Sequence, residues 1–383
     1  DAPLAIDAKA SSSALVLSTG DLRAKGGVAA QAKIEGQGER WSGPFSLDLT
    51  RAELDFANGT MRKAVGTRAT LEGALANDGK GTRADYELRV RNAEAKGAFT
   101  THPRTRLELE AKPFDVAGWE EIVPALADYA PTGRVALEKL VFATEPSSLT
   151  GAIALSGVTL RRERPDAPIA IDGHLDAKGT SLVPRALFAT VGAARWAVTG
   201  QISDLFGARR LALRLATPAP VESNAVFSLV DGLRDSVFGA LDLDLALALP
   251  LAGPAASQPA LDRLSGDVRF QIGGDEQGGR LRGVSLLKTA FDRFGALGYA
   301  ALLALPAKRG KSIDEYYSEK FQVARATFRV ENGEARTQDF EVVHDEYTAK
   351  LRGGIGLSDL ALDMRGELVI SDRLDAALAG TQA

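Results

Sequence analysis

Residues 241–249 read LDLDLALAL, so that every second side chain is leucine and those between are aspartate or alanine. A β-strand points successive side chains to opposite faces, whereas a helix would spread these leucines around its whole circumference. The stretch therefore predicts a strand whose one face is apolar and whose other face, which carries Asp242 and Asp244, is polar.

The same alternation recurs along the chain, and turn residues separate the runs. Shorter alternating runs are Leu107/Leu109, Val135/Leu137, Ile153/Leu155, Leu211/Leu213/Leu215, Val268/Phe270/Ile272 and Ala326/Phe328/Val330. The candidate turns are Asn58-Gly59, Asp78-Gly79, Asp172-Gly173, Asn332-Gly333 and Gly353-Gly354. Such dipeptides adopt positive φ at little cost and mark hairpin reversals. The pattern predicts a mainly β fold, an elongated antiparallel meander; a closed β-sandwich would give the same alternation.

Helical spacing of apolar residues predicts a few helices among the strands. They cover roughly Val116–Tyr129, where Pro124 can split the helix, Glu222–Phe238, Val284–Leu305 and Asp372–Leu378. The third helix, Val284–Leu305, has a broad apolar stripe with two interpretations. The stripe docks on a sheet as part of the core, or it closes an open groove end or lies at a membrane surface.

Composition excludes several classes of function. The 383 residues include 46 Lys and Arg against 50 Asp and Glu, so no basic stripe for nucleic acid is expected. The chain has no Cys, which excludes disulfides, thiolate nucleophiles and Cys-based metal sites. It begins at Asp1 and has no apolar stretch of membrane-spanning length, so a processed or truncated chain is expected, with any signal or anchor outside it.

The common catalytic motifs fail at specific positions. A phosphate-binding loop ending in Gly310-Lys311-Ser312 would need glycine where Leu305 stands, and a G-x-S-x-G motif around Ser156 meets Ala154. The only histidines are His102, His174 and His344, without metal-ligand spacing. We therefore expect no enzyme, no cofactor and no metal site.

Asp242 and Asp244 are a carboxylate pair that the alternation brings onto the outward face of the 241–249 strand. If they were close and buried, each would raise the pKa of the other, as in a catalytic pair. The alternative, a solvated strand face, is the favoured interpretation. A hydrolase of envelope glycans would need a carboxylate pair across a cleft, and no spacing in the sequence proposes one.

Several segments are similar to AsmA-family proteins. Phe114–Trp119 (FDVAGW) followed by Ala130–Val135 (APTGRV) resembles the family's short helix that leads into a new meander. Phe321–Phe340, with ATFRVENG and TQDF, is similar to its C-terminal strand-turn-strand, and Leu351–Gly366 continues that pattern. Gly151–Pro218 resembles its repeated meander element. The resemblance covers about residues 110–370.

The resemblance implies a fold and a function. AsmA-like proteins are thought to be periplasmic bridges whose antiparallel sheet curls into an open, taco-like groove, along which phospholipid acyl chains move between the inner and outer membranes. It implies a role in outer-membrane biogenesis, an inner-membrane tether outside this chain, and protein partners at the groove ends. Three parts are expected: 1–112, an N-terminal β-meander that forms part of the groove; 113–255, an AsmA-like β-meander with short helices; and 256–383, an AsmA-like C-terminal region with the long amphipathic helix and the final strands. The alternative is a structural or adhesive β-sandwich module that binds envelope proteins.

On this interpretation the inward side chains of the most regular strands line the lipid groove. They are Leu211, Leu213, Leu215, Leu241, Leu243, Leu245, Leu247, Leu249, Phe270, Ile272, Phe328 and Val330. The alternative for each is ordinary core packing against a helix or a second sheet.

Overall fold

The computed structural model describes residues 3–20, 22–56, 59–161, 168–228, 233–251, 259–284, 319–359, 361–372 and 375. It is 70% strand and 6% helix, which confirms a mainly β protein with few helices. Its 24 strands are hydrogen-bonded into one antiparallel sheet that is open rather than closed. The chain divides into two units, the first made of Asp1–Ala189 and Gln201–Phe206 and the second of Thr190–Gly200 and Gly207–Ala383.

The first unit is a meander in which almost every strand pairs with the next. Its strands are β1 (Pro3–Thr19), β2 (Leu22–Gln37), β3 (Arg40–Asp48), β4 (Ala52–Phe56), β5 (Met61–Lys63), β6 (Ala69–Asp78), β7 (Thr82–Val90), β8 (Ala93–Thr100), β9 (Arg106–Asp115), β10 (Thr132–Thr144), β11 (Ser147–Leu160) and β12 (Ile169–Gly179). The pairing order is β1-β2-β3-β6-β7-β8-β9-β10-β11-β12, and the β4–β5 hairpin extends from the start of β2. Both β13 (Ser181–Val191) and β14 (Ala194–Ser203) contain residues of each unit.

In its described residues, the second unit is a shorter meander with two small helices. Its elements are β15 (Arg210–Ala216), β16 (Val221–Glu222), α1 (Ser223–Phe227), β17 (Val237–Pro250), α2 (Ala260–Arg263), β18 (Ser265–Gly273), β19 (Gly279–Leu281), β20 (Lys320–Phe321), β21 (Val323–Glu331), β22 (Glu334–Val343), β23 (Tyr347–Gly356) and β24 (Leu362–Ile370). The pairing order is β15-β17-β18-β21-β22-β23-β24. Short pairings join β16 and β19 to β17, and β20 to β19.

The four predicted helices agree with the structure to different degrees. The first is present as two 3₁₀ helices, Trp119–Glu121 and Pro124–Tyr129, which are divided at Pro124 as expected. The second, Glu222–Phe238, is wrong in extent, because α1 ends at Phe227 and Val237 begins β17, where it pairs with Leu281. Residues 285–305 of the third, and residues 373–374 and 376–378 of the fourth, lie outside the described residues.

The predicted turns are also only partly right. Asn332-Gly333 lies between two paired strands, and Asp78-Gly79 begins the connection from β6 to its partner β7, as predicted, whereas Asn58 is outside the described residues. Asp172-Gly173 and Gly353-Gly354 are not turns, since they lie inside β12 and β23. A Cβ on Gly173 would be 2.2 Å from the Ala186 carbonyl oxygen, so close approach of the neighbouring backbone explains this glycine.

Candidate functional site

One face of the first unit carries an unbroken row of apolar residues across ten strands. Each residue is the direct cross-strand partner of the next: Ala10, Ala30, Leu47, Leu71, Leu88, Ala95, Ala111, Leu137, Ile153 and Leu175. We call the face that bears this row the first apolar face. Nine strand spacings of about 4.8 Å make it about 43 Å long along the sheet, which exceeds the hydrocarbon thickness of a bilayer, about 30 Å.

The large side chains of this row are only half-buried. Leu47, Leu71, Leu88, Leu137, Ile153 and Leu175 all remain partly open to solvent. The fully buried apolar residues of this unit are alanine with only four exceptions among the described residues, Val116, Ile122, Val158 and Leu187. A second packed layer would normally bury the leucines of a central strand. The first apolar face therefore keeps apolar surface accessible.

A second row on the same face alternates rings with glycines. Phe45 lies opposite Gly73, Gly73 opposite Tyr86, and Tyr86 opposite Gly97. The Tyr86 hydroxyl donates a hydrogen bond of 2.8 Å to the backbone oxygen of Glu108. Burial raises the pKa of Tyr86, so the phenol stays protonated and remains a donor. The aromatic rings thus lie against the backbone at the glycines. The Tyr86 hydroxyl, the only polar group on these rings, has its hydrogen-bond acceptor within the protein.

The opposite face of the first unit is charged. Ion pairs join Arg83 to Asp85 at 2.6 Å, and Arg185 to Asp176 at 2.8 Å. On this face Glu72 lies opposite Glu87 in neighbouring strands. The polar and apolar faces predicted from the alternation are therefore both present, one residue apart along each strand.

In the second unit the structure brings all twelve predicted lining residues onto one face of β15, β17, β18 and β21. We call it the second apolar face. The cross-strand pairs that place them there are Leu211–Leu249, Leu213–Leu247, Leu215–Leu245, Leu245–Val268, Val268–Phe328, Leu243–Phe270, Leu241–Ile272, and Leu247 and Val330 each opposite Gly266. The sequence alternation predicts that these residues lie on one face of the sheet, as they do. Their role as groove lining stays a prediction.

Burial divides these twelve residues into two groups. Five are buried: Leu241 (0% exposed), Ile272 (3%), Val330 (3%), Phe328 (7%) and Leu243 (9%). Residues of α1, Val226 and Phe227, pack against the cluster around Leu241, and the rings of Phe270, Phe328 and Phe340 lie 5.9–6.3 Å apart. The other seven, on β15, β18 and the C-terminal half of β17, are half-buried. The part of this face on β21 and on the N-terminal half of β17 is thus packed core, whereas the part on β15 and on the C-terminal half of β17 keeps apolar surface open.

Asp242 and Asp244 lie on the polar face of β17, and each has a partner. The Arg214 Nε atom donates to Asp244 at 2.7 Å, and this hydrogen bond holds the pKa of Asp244 below its usual value. The Thr217 hydroxyl donates to Asp242 at 3.1 Å. Both carboxylates line a cleft of about 430 Å³ that also contains Arg325. A lowered pKa is the opposite of what mutual repulsion in a catalytic pair would produce, so the solvated-face interpretation fits.

Other chemistry is sparse in the part of the chain that the structure describes. His174 lies 3.5 Å from Glu138, and the His344 ring stacks on Tyr347. No group of three or more His, Cys, Asp or Glu residues there is arranged to hold a metal ion. Within the same residues, no helix is both long enough and apolar enough to cross a bilayer.

The sequence predicts that residues 1–112 form part of a groove, but it identifies no lining residue on the first apolar face. The signal is present but diluted, because alanine and glycine occupy many of the alternating positions, as in Leu71-Glu72-Gly73-Ala74-Leu75. Only the strand register shows that the scattered leucines lie side by side. Comparison of the chain with protein-family models, with curated proteins and with solved structures gives no match, so any assignment of function depends on these two faces and on the residues themselves.

Proposed function

We propose that this protein is a non-enzymatic lipid-binding and lipid-transport protein of the bacterial periplasm, which carries phospholipid acyl chains along its apolar sheet faces between the inner and outer membranes. The observation that carries the proposal is the first apolar face. Its apolar residues are in register over ten strands, and the leucines and the isoleucine among them stay half-buried. Contiguous apolar surface that remains open to solvent marks an interaction site.

The chemistry of the face suits acyl chains. Burial stabilises each methylene by about 0.8 kcal/mol, so a surface of Leu, Ile and Ala holds hydrocarbon without any specific polar contact. Successive strands present nearly equivalent apolar positions, and a chain that moves along them meets only shallow energy differences. The charged opposite face keeps the other side of the same strands in water.

The non-enzymatic part of the proposal has its own support. The carboxylates closest to a catalytic arrangement, Asp242 and Asp244, are each hydrogen-bonded on a polar strand face. The periplasmic location and the two-membrane route come from the resemblance of Phe114–Val135 and Phe321–Gly366 to AsmA-like segments, and the absence of Cys agrees with an oxidising compartment.

A structural module with protein partners is the second candidate. The packed end of the second apolar face, where α1 covers Leu241, favours it, because such a core needs no ligand. It predicts that the first apolar face binds protein rather than lipid.

Native mass spectrometry of the protein purified from a bacterial envelope tests the proposal. We expect bound masses that match phospholipids and that disappear after extraction with organic solvent. Folded protein that carries no phospholipid, and that does not bind a fluorescent fatty acid after extraction, would contradict lipid binding and favour the structural module.

A further inference from the structure

The indole of Trp196 is a buried hydrogen-bond donor without an acceptor. Trp196 lies on β14 in the second unit and is only 6% exposed. Its Nε1–H is buried and has no hydrogen-bond partner among the residues that the structure describes. The half-buried Trp119 provides a comparison, since its Nε1 donates to Asn92 Oδ1 at 2.9 Å. Buried polar groups in native proteins are nearly always paired, so an orphan of this kind calls for an explanation.

The strand geometry places this indole on the second apolar face. A Cβ built on Gly200 would lie 3.0 Å from the Cα of Leu213, so these two residues face each other across β14 and β15. Trp196 and Val198 precede Gly200 by an even number of residues in the same strand, and alternation puts them on its face. Leu213, a half-buried member of the second apolar face, therefore neighbours the strand that carries the indole.

The missing acceptor has a definable chemistry. Water is a poor candidate, because a buried water needs two to four polar partners and brings no apolar surface to the face beside it. An acyl ester brings both parts: its hydrocarbon covers the half-buried leucines of the face, and its carbonyl oxygen accepts one hydrogen bond. A plain hydrocarbon or an ether would leave the donor unpaired.

We propose that the Trp196 indole N–H donates a hydrogen bond to an ester carbonyl of an acyl lipid on the second apolar face. This inference depends on the proposed lipid-binding function and refines it. Trp196 would then be the position at which the protein distinguishes ester-linked lipid from other hydrocarbon. The glycerol end of the bound acyl chain would lie beside its indole.

The test compares two phosphatidylethanolamines with the same saturated chains, one ester-linked and one ether-linked, by competition with a bound fluorescent fatty acid. We expect the unmodified chain to bind the ester lipid about twofold to tenfold more tightly, the range for one hydrogen bond. Trp196→Phe should bind both lipids equally, at the level of the ether lipid. Trp119→Phe, whose indole already has a partner, should keep the preference.

A second readout does not need the Trp196→Phe variant to fold. In a Trp41→Phe/Trp119→Phe background, Trp196 emission should shift to longer wavelength with the ester lipid and not with the ether lipid. Equal binding of both lipids by the unmodified protein, or equal emission changes, would overturn the inference and leave lipid binding standing. Binding of neither lipid would instead contradict the proposed function.

Discussion

Leu71 of β6 and Leu88 of β7 are direct cross-strand partners inside the first unit, yet both side chains are half-buried. One residue further along, Glu72 and Glu87 are partners on the opposite face of the same two strands. At these two pairs one face of the sheet carries apolar side chains and the other carries charge. The apolar row to which Leu71 and Leu88 belong continues across ten strands.

Truncation of a leucine to alanine should lower the free energy of unfolding more at a buried position than at a half-buried one. Leu241 is 0% exposed in a packed cluster, so Leu241→Ala should lower the free energy of unfolding by about 2–5 kcal/mol. Leu88→Ala removes a half-buried side chain and should cost about 1 kcal/mol. Urea denaturation, with the transition of each unit followed separately, measures both values. Equal costs would mean that Leu88 is as fully covered as Leu241.

Gly97 should tolerate no larger side chain. A Cβ there would lie 2.0 Å from the Glu108 backbone oxygen and 2.6 Å from the Tyr86 hydroxyl oxygen. The backbone or the ring must move, so Gly97→Ala should destabilise the first unit by about 1–3 kcal/mol. Tyr86→Phe, which removes only the hydroxyl and its hydrogen bond, should cost about 1 kcal/mol. Thermal unfolding of both variants shows which substitution destabilises the protein more. A Gly97→Ala variant as stable as the unmodified protein would contradict the close contact between Gly97 and the Tyr86 ring.

Lys63 should stabilise the β4–β5 hairpin through its ammonium group. It is 5% exposed and donates to the backbone oxygens of Ala52, Ala64 and Thr50 at 2.6, 3.1 and 3.3 Å. Lys63→Met keeps the apolar stem but leaves these acceptors unpaired, so we expect a loss of about 2–3 kcal/mol. The exposed Lys25 gives the control, since Lys25→Met should change stability by less than about 0.5 kcal/mol. Similar effects of the two substitutions in urea denaturation would contradict this role.

Asp244 should give a small acid-dependent contribution to stability. The hydrogen bond from Arg214 lowers the pKa of Asp244 below 3.8, so the folded state holds the proton less tightly than the unfolded chain. Its contribution is therefore present above pH 3.8 and is lost as the pH falls through the lowered pKa. The melting temperature of the unmodified protein should exceed that of Asp244→Asn at neutral pH, and the difference should vanish in strong acid. A difference that already vanishes near neutral pH would indicate a raised pKa, as a catalytic pair requires.

Local patterns in the sequence predicted the strands well and the long-range contacts poorly. The leucines of residues 241–249 share a face because alternation alone determines it. The predicted helix Glu222–Phe238 failed because Val237 has a strand partner, Leu281, that is far away in the sequence. Gly353 was read as a turn because close approach to the Asp363 carbonyl, 2.0 Å from a Cβ built there, is visible only in the paired strands.

The lining residues of the first apolar face were not identified from the sequence for a related reason. Its row runs perpendicular to the strands, and its members are separated along the chain by whole hairpins. The alternation along a strand determines on which face of the sheet a side chain lies. The register between strands determines which side chains are its neighbours on that face. Trp196 is a similar case, because its unpaired donor becomes evident only when its surroundings are known.

Phospholipid binding by two matched double variants tests the central claim most directly. Leu71→Asn/Leu88→Asn places two amides on the first apolar face, and Glu72→Asn/Glu87→Asn places the same two amides on the charged face of the same strands. Transfer of a fluorescent phosphatidylethanolamine from donor to acceptor vesicles is measured for both, after circular dichroism has verified folding. We expect the leucine variant to lose at least tenfold in transfer rate and the glutamate variant to match the unmodified protein. Equal transfer by both variants would contradict the assignment of the first apolar face as the lipid-binding surface.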